Sequence, residues 1–286
     1  MPVTRTQRGI LDRIVSVYRR VSDDGFAPYL KEKLDWLQKS WKMDNWLVGR
    51  YVELRGNQVD LGGVRISLDN PIITTPQKST IFHGYYEVEE QGLLRDHLPR
   101  NLPVVEMGGG IGFVSCLVNR MLERPSHHVV VEANPQLIPT IEENRRLNDC
   151  SFSVINRALA YDQEEVHVFV PDSFVYGNVT GDGNRTALVP STTLRDLVET
   201  ANFDVFTLVM DIEGAEVDLV EREGDLLAAR AFMLAAEWHP MIRSEQAVTR
   251  ALKRLERLGF EEIARAGATR VLLNRSLVKS VQASGA

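Results

Sequence analysis

The stretch VVEMGGGIGFVS, residues 104–115, passes from an apolar run through glycines at 108, 109, 110 and 112 into a helical pattern. A strand that ends in such a turn and opens a helix brings backbone close to a ligand and leaves free N–H groups at the helix start. Spacing separates the ligands. A dinucleotide turn reads G-x-G-x-x-G, and its third glycine lets helix and strand pack together. Here Gly108, Gly110 and Gly112 read G-x-G-x-G, and Phe113 stands where that third glycine would fall. Glu106 lies two positions before the first glycine, at the strand end, where its charge is expected to face the occupant of the turn. It would repel a pyrophosphate and favour a ligand bearing an ammonium and a sulfonium. Glu132 closes the next apolar run, VVVEAN, where a carboxylate can accept both hydroxyls of a ribose. Together these features predict a positively charged nucleoside without phosphates.

Working outward, apolar runs alternate with helical ones from residue 103 on, which predicts a parallel sheet with crossover helices. Strands are expected at LPVVEM, HHVVVEA, CSFSVINRAL, EEVHVFVP, FDVFTLVMDI, AFMLAAEW, FEEIAR and TRVLLNR. Helices are expected over 112–123, 135–147, 215–222 and 244–258, and at STTLRDLVE. Upstream, two amphipathic helices fall within residues 6–41. An antiparallel meander follows at RYVELRGNQVDLGGVRISL, turning at Gly56-Asn57 and Gly62-Gly63. DNPIITTPQKSTIFHG, with two prolines, reads as a covering loop, and YEVEEQGLLRDHL as a helix. The division expected is residues 1–80 as a helical and β-hairpin extension, serving as lid or oligomer contact, and 81–286 as the nucleoside-binding domain. Residues 171–186, rich in Gly, Asn and Asp, read as an irregular insertion of the kind that carries binding groups.

Composition narrows the partners. Of 286 residues, 44% are hydrophobic and 25% charged, as in ordinary globular domains. The formal charge is −6 and the basic residues are scattered, so no footprint for nucleic acid is visible. Cys116 and Cys150 form neither a C-x-x-C pair nor part of a His/Cys cluster, so neither a disulfide framework nor a zinc site is expected, and no other clear cluster of metal ligands shows in the sequence. No apolar run approaches a membrane span and the first twenty residues lack a signal core, which fits a cytoplasmic protein. A homo-oligomer is possible, and Trp36, Trp41 and Trp46 are candidates for core or interface ahead of a platform for a sugar.

VVEMGGGIGF with VVVEANP resembles motif I and the following acidic strand end of class I S-adenosylmethionine-dependent methyltransferases. FHGYYEVEEQGLLRDHL, STTLRDLV and LVMDIEGAEVDLV resemble, more narrowly, the FkbM-type members. The family's D-x-E-G-x-E falls on Asp211, Glu213, Gly214 and Glu216, and the resemblance spans about residues 82–240. Glu106 and Gly109 stand where the family carries Asp and Ala. The resemblance implies a Rossmann-like fold with a seven-stranded, mostly parallel sheet and helices on both faces. It further implies S-adenosylmethionine as methyl donor, and a hydroxyl of a sugar, glycoconjugate or polyketide-type natural product as acceptor.

Site roles follow from this frame. Glu106, Gly108, Gly110, Gly112 and Glu132 are expected around the cofactor, with Asn156 and Ala158 beside the adenine. Tyr86 and Glu87, ahead of the glycine turn, would cover the cofactor; each tyrosine here could equally serve as packing. Asp211 and Glu213 could touch the methionine ammonium or the acceptor hydroxyl, or cap the helix that begins near Gly214. His239, in AAEWHP at the next strand end, is the histidine best placed to act as general base, against a merely structural role. Glu237 on the same strand could orient it or bind substrate. Two other classes compete: a nicotinamide-dependent oxidoreductase, disfavoured by Phe113 and Glu106, and a non-catalytic nucleoside-binding module.

Overall fold

A computed structural model of the chain describes residues 44–170 and 186–278. The helices expected within 6–41 and the insertion at 171–185 lie outside the described residues.

A helix, α1, covers 44–54. A hairpin follows, β1 (Gln58–Leu61) and β2 (Val64–Ser67), and then helices α2 (Thr75–Phe82) and α3 (Val88–His97). The nucleotide-type unit runs β3 (Val104–Met107), α4 (Phe113–Met121), β4 (His128–Glu132), α5 (Ile138–Leu147) and β5 (Ser153–Asn156). After it come three strands of a small side sheet, β6 (Ala158–Leu159), β7 (Glu165–Phe169) and β8 (Thr186–Thr192), and helix α6 (Leu194–Thr200). The second half continues with β9 (Phe206–Met210), α7 (Glu216–Arg230), β10 (Ala231–Glu237), α8 (Pro240–Arg243) and α9 (Glu245–Arg257). Strands β11 (Phe260–Ala266) and β12 (Thr269–Asn274) complete the sheet.

The main sheet has seven strands in the order β11-β12-β10-β9-β3-β4-β5. β5, β4, β3, β9 and β10 pair in parallel, while β12 runs antiparallel to both β10 and β11. The fold is a doubly wound α/β sheet of Rossmann-like type, and its strand order reverses at β3, which is where such sheets open a ligand crevice. Alternation along each strand feeds two apolar layers. Val104, Val130, Val209 and Ala235 face one, with α4 and α5; Val105, Val129, Leu208 and Leu234 face the other, with α6, α7 and α9. The hairpin joins the first layer through Ile66, and Asn144 of α5 ties to it by accepting the Ser67 N–H.

Three local expectations are corrected. RYVEL is helical, because Asn45, Val48, Gly49, Val52 and Glu53 form one inward face at a period of 3.6, and Gly49 presses so close to Thr75 that a Cβ would clash. Gly56-Asn57 is therefore a helix end and not a hairpin turn: both residues have positive φ, and the Asn57 N–H reaches back to the Val52 carbonyl. The expected covering loop contains α2, begun by the Thr74–Gln77 capping box with proline in its first turn. The extended stretch before α6 is strand β8, which was not expected. Trp46 is half exposed, whereas Trp36 and Trp41 lie outside the described residues. No described helix is long and apolar enough to cross a membrane.

Candidate functional site

The glycine turn owes its shape to missing side chains. Gly108, Gly110 and Gly112 all have positive φ, and a Cβ on Gly108 would fall 1.8 Å from the Asp211 carbonyl oxygen. The Asp211 N–H in turn donates to the Met107 carbonyl, so the ends of β3 and β9 are locked together. Above them lies a cavity of about 600 Å³ lined by Gly108, Gly110, Glu132, Ala158, Asp211 and His239, among others. Val166, Val168 and Phe169 of β7 supply an apolar wall on one side.

Glu132 stands at the rim with one oxygen accepting the Gly110 N–H at 2.8 Å and the other the Asn134 N–H at 2.6 Å. Burial pushes its pKa up to about 7 against the pull of those backbone hydrogen bonds. Each oxygen keeps a lone pair for a further donor. Tyr86 reaches the turn from the other side, where its hydroxyl would be 3.0 Å from a Cβ on Gly110, and its ring packs on Phe113.

Carboxyls crowd the opposite end of the cavity. Glu87 and Glu90, at the start of α3, and Glu237, at the end of β10, line it together with Asp211 and Glu213. Burial, then the neighbouring Glu237, raise Glu87 to about 7. Burial, then Glu87, hold Asp211 and Glu90 well above the usual carboxylate range. Burial likewise raises Glu237. Glu90 is 4% exposed and makes no side-chain hydrogen bond or ion pair among the described residues. Such crowding is costly unless positive charge arrives.

His239 provides the one imidazole of this cluster among the described residues. Its Nε2 lies 3.3 Å from Asp211 Oδ1 and 3.7 Å from Glu213 Oε2, and its Nδ1 lies 2.9 Å from Glu216 Oε1. Burial lowers its pKa, but the hydrogen bond and charge of Glu216, with Asp211 and Glu213, outweigh that and carry it up to about 9. Glu213 sits at φ 50° and Gly214 at φ 99°, so the D-x-E-G turn bends sharply and presents both acids to the ring.

Most of the anticipated residues meet here: Tyr86, Glu87, Gly108, Gly110, Glu132, Ala158, Asp211, Glu213 and His239 all line the one cavity. Three do not. Glu106 points into the layer beneath the turn, 1% exposed, where it accepts from the Ser115 hydroxyl and pairs with His128 Nε2 at 3.0 Å. Its neighbours Val105 and Met107 occupy the other face of β3, so a period of two sends Glu106 away from the ligand. Gly112 backs onto Ile141, and its role is to let α4 and α5 approach. Asn156 donates to the backbone carbonyls of Glu132 and Ala133, bracing the end of β4 from outside the cavity. Glu90 and Glu216 were not singled out, although Glu90 lies one helical turn from Glu87 and Glu216 is the last acid of D-x-E-G-x-E.

No metal-type spacing is visible in the sequence, yet among the described residues two sets of groups could hold a cation. The ligand atoms of Asp211, Glu216 and His239 lie within 4.8 Å of one another, as do those of Glu87, Asp211 and Glu237. These sets assemble from separate strand ends and helices.

No family model and no curated protein matches the chain. Among solved structures, it is similar to a protein in the NADB-Rossmann superfamily from Streptococcus agalactiae, at 12% identity and a TM-score of 0.40 over 64% of this chain and 65% of that one. A ribosomal protein L11 methylase from Lactobacillus delbrueckii subsp. bulgaricus aligns at 14% identity and a TM-score of 0.38, covering 66% and 77%. The precorrin-6y C5,15-methyltransferase of Geobacter metallireducens aligns at 13% and 0.38, covering 73% and 91%. The chain thus spans just under two thirds of the first of these. Likenesses this distant carry no argument about substrate or chemistry.

Proposed function

We propose that this chain is an S-adenosylmethionine-dependent methyltransferase acting on a hydroxyl of a sugar, glycoconjugate or polyketide-type molecule. One observation carries the reading: a glycine cradle opening on a cavity whose far end is lined by Glu87, Glu90, Asp211 and Glu237, with no partner for Glu90 among the described residues. That end suits an ammonium and a sulfonium and opposes the diphosphate of a nicotinamide dinucleotide. A volume near 600 Å³ lies within the range of small-molecule and cofactor sites.

The residues present fit this cofactor. Gly108 lets the turn close against the Asp211 carbonyl and, with Gly110, presents bare backbone to the cavity; Glu132 retains acceptor capacity for ribose hydroxyls, and Ala158 with Leu159 offers a small apolar surface for a flat base. When bound, the cofactor supplies an electrophilic methyl group for in-line transfer. Asp211 and Glu213 hold His239 at the cavity wall, and Tyr86 closes the turn. His239 starts as an imidazolium near neutrality, because its pKa lies at about 9. Beside a cationic ligand that value would fall, and Nε2 would then be free to accept the proton of an acceptor hydroxyl. The apolar wall of β7 favours an acceptor that presents a hydrocarbon face beside its hydroxyl. Metal is not required by this scheme, since the cofactor's charge meets the same carboxyls.

Ligand-induced stabilisation tests the reading. S-adenosylhomocysteine at about 100 times its Kd adds about 2.7 kcal/mol, while NAD adds nothing. Stabilisation by NAD alone would move the chain to the oxidoreductase class. Binding of S-adenosylhomocysteine without methyl transfer to any hydroxyl in an acceptor panel would favour a binding module. Glu132→Ala weakens cofactor binding by about tenfold, whereas His239→Ala leaves it nearly unchanged and abolishes turnover.

A further inference from the structure

Three elements converge on the imidazole of His239, and they treat its two nitrogens differently. Nε2 faces Asp211 and Glu213 on the cavity wall. Nδ1 faces Glu216, the first residue of α7, which is fully buried and takes no part in the cavity lining. The same Glu216 oxygen accepts the backbone N–H groups of Ile212 and Gly214, each at 3.2 Å. A carboxylate anchored in this way cannot swing aside, and as a pure acceptor it demands a proton on the nitrogen it meets. That contact, at 2.9 Å, is closer than those of Asp211 and Glu213 with Nε2, at 3.3 and 3.7 Å, so in the neutral ring the proton sits on Nδ1 and the lone pair of Nε2 is turned toward the cavity.

We propose that Glu216 is a positioning residue: it selects the Nδ1–H form of His239, so that Nε2 is the atom that accepts the substrate proton, and it ties the ring to the Asp211–Gly214 turn. This deepens, and rests on, the reading of His239 as the base. One oxygen performs both tasks, so the base and the acids around it move as a unit. The charged groups that face the ring are Glu216 of α7, Asp211 and Glu213 of the turn after β9, and Glu237 of β10. Arg243 of α8 also lies close to the turn but is committed elsewhere, donating to the Gly214 carbonyl and pairing with Asp218. The pattern separates a tuned base from a chance histidine. An imidazole that merely filled space would have no need of a buried carboxylate on the side away from the cavity.

The test is a nitrogen-resolved NMR titration of His239 in the full chain, with and without S-adenosylhomocysteine. Above its titration, wild type is expected to carry the ring proton on Nδ1. Glu216→Gln keeps an acceptor oxygen, so the proton stays on Nδ1 while the ring titrates at least about one pH unit lower. Glu216→Ala shifts the proton toward Nε2. A wild-type proton on Nε2, or a Glu216→Gln titration identical to wild type, overturns the proposal. Should the alanine variant fail to fold, the glutamine variant decides alone. If wild type does not bind S-adenosylhomocysteine, the cofactor reading falls while the tautomer result stands; binding with the wrong tautomer sinks only the role of Glu216.

Discussion

Carboxyls flank the glycine turn on two sides, and the chain treats the two groups in opposite ways. Beneath the turn, Glu106 is answered by its own protein: the Ser115 hydroxyl and the His128 ring meet its two oxygens in a dry layer. Above it, Glu87, Glu90, Asp211 and Glu237 crowd one another, with burial raising every one of them. A buried acid whose partners are built in belongs to the fold. One left to repel its neighbours belongs to whatever enters the cavity.

The comparison breaks most readily at Glu106. Glu106→Ala strands a buried imidazole and hydroxyl, so a loss of about 3–5 kcal/mol is expected in denaturant unfolding. Affinity of the folded variant for S-adenosylhomocysteine should stay within about threefold of wild type. A collapse of affinity at unchanged stability would put Glu106 in the wrong group. Glu90→Gln tests the other side by isothermal titration. It should weaken S-adenosylhomocysteine by about tenfold, or about 1.4 kcal/mol, and leave the empty protein as stable as before or more so at pH 8.

The pH dependence sharpens the contrast further. The folded value of Glu87, about 7, lies above its ordinary 4.5, so the folded state holds the extra proton between them. Its contribution to stability is complete below about pH 4.5 and is lost as pH rises through 7. Glu132 acts in the same direction over the same window, and His239 extends the loss from 6.5 to about 9. Unfolding free energy of the empty protein should therefore fall from pH 5 to 9, and S-adenosylhomocysteine should flatten the fall. A flat profile without ligand would mean that the acids are not buried as described. The smallest effect belongs to Asn156→Ala, which removes two bonds to backbone carbonyls: about 1 kcal/mol of stability, with cofactor affinity unchanged in the same titrations.

Much of this was legible in order and little in direction. The glycine turn, Glu132 at the next strand end, and Asp211, Glu213 and His239 at later strand ends could be read because strands and crossovers leave a periodic trace. Glu106 was misread by one residue of pleat: a strand end puts an acid near a ligand, but alternation decides which face it takes. Glu237 was named beside His239, but Glu90 comes from a helix start far upstream, and Glu216, named only as part of its motif, hides behind His239. Their meeting is a property of the sheet order, which no local pattern encodes. The helix 44–54 was lost to Gly56-Asn57, a dipeptide that serves a helix end as well as a hairpin. An acidic wall for the ligand was anticipated, but at Glu106, which lies beneath the turn and not in the cavity.

The missing Cβ of Gly108 has a wider consequence. Because the Asp211 carbonyl occupies the space it leaves, the glycine turn and the Asp211–Gly214 turn that carries the acids are tied into one part. If the proposed methyl transfer holds, a change of acceptor cannot enter through that part without disturbing the donor site. It can enter through the β7–β8 ribbon, whose Val166, Val168 and Phe169 touch the cavity from a separate sheet. The cavity is thereby divided into a wall fixed by the main sheet and an edge free to vary.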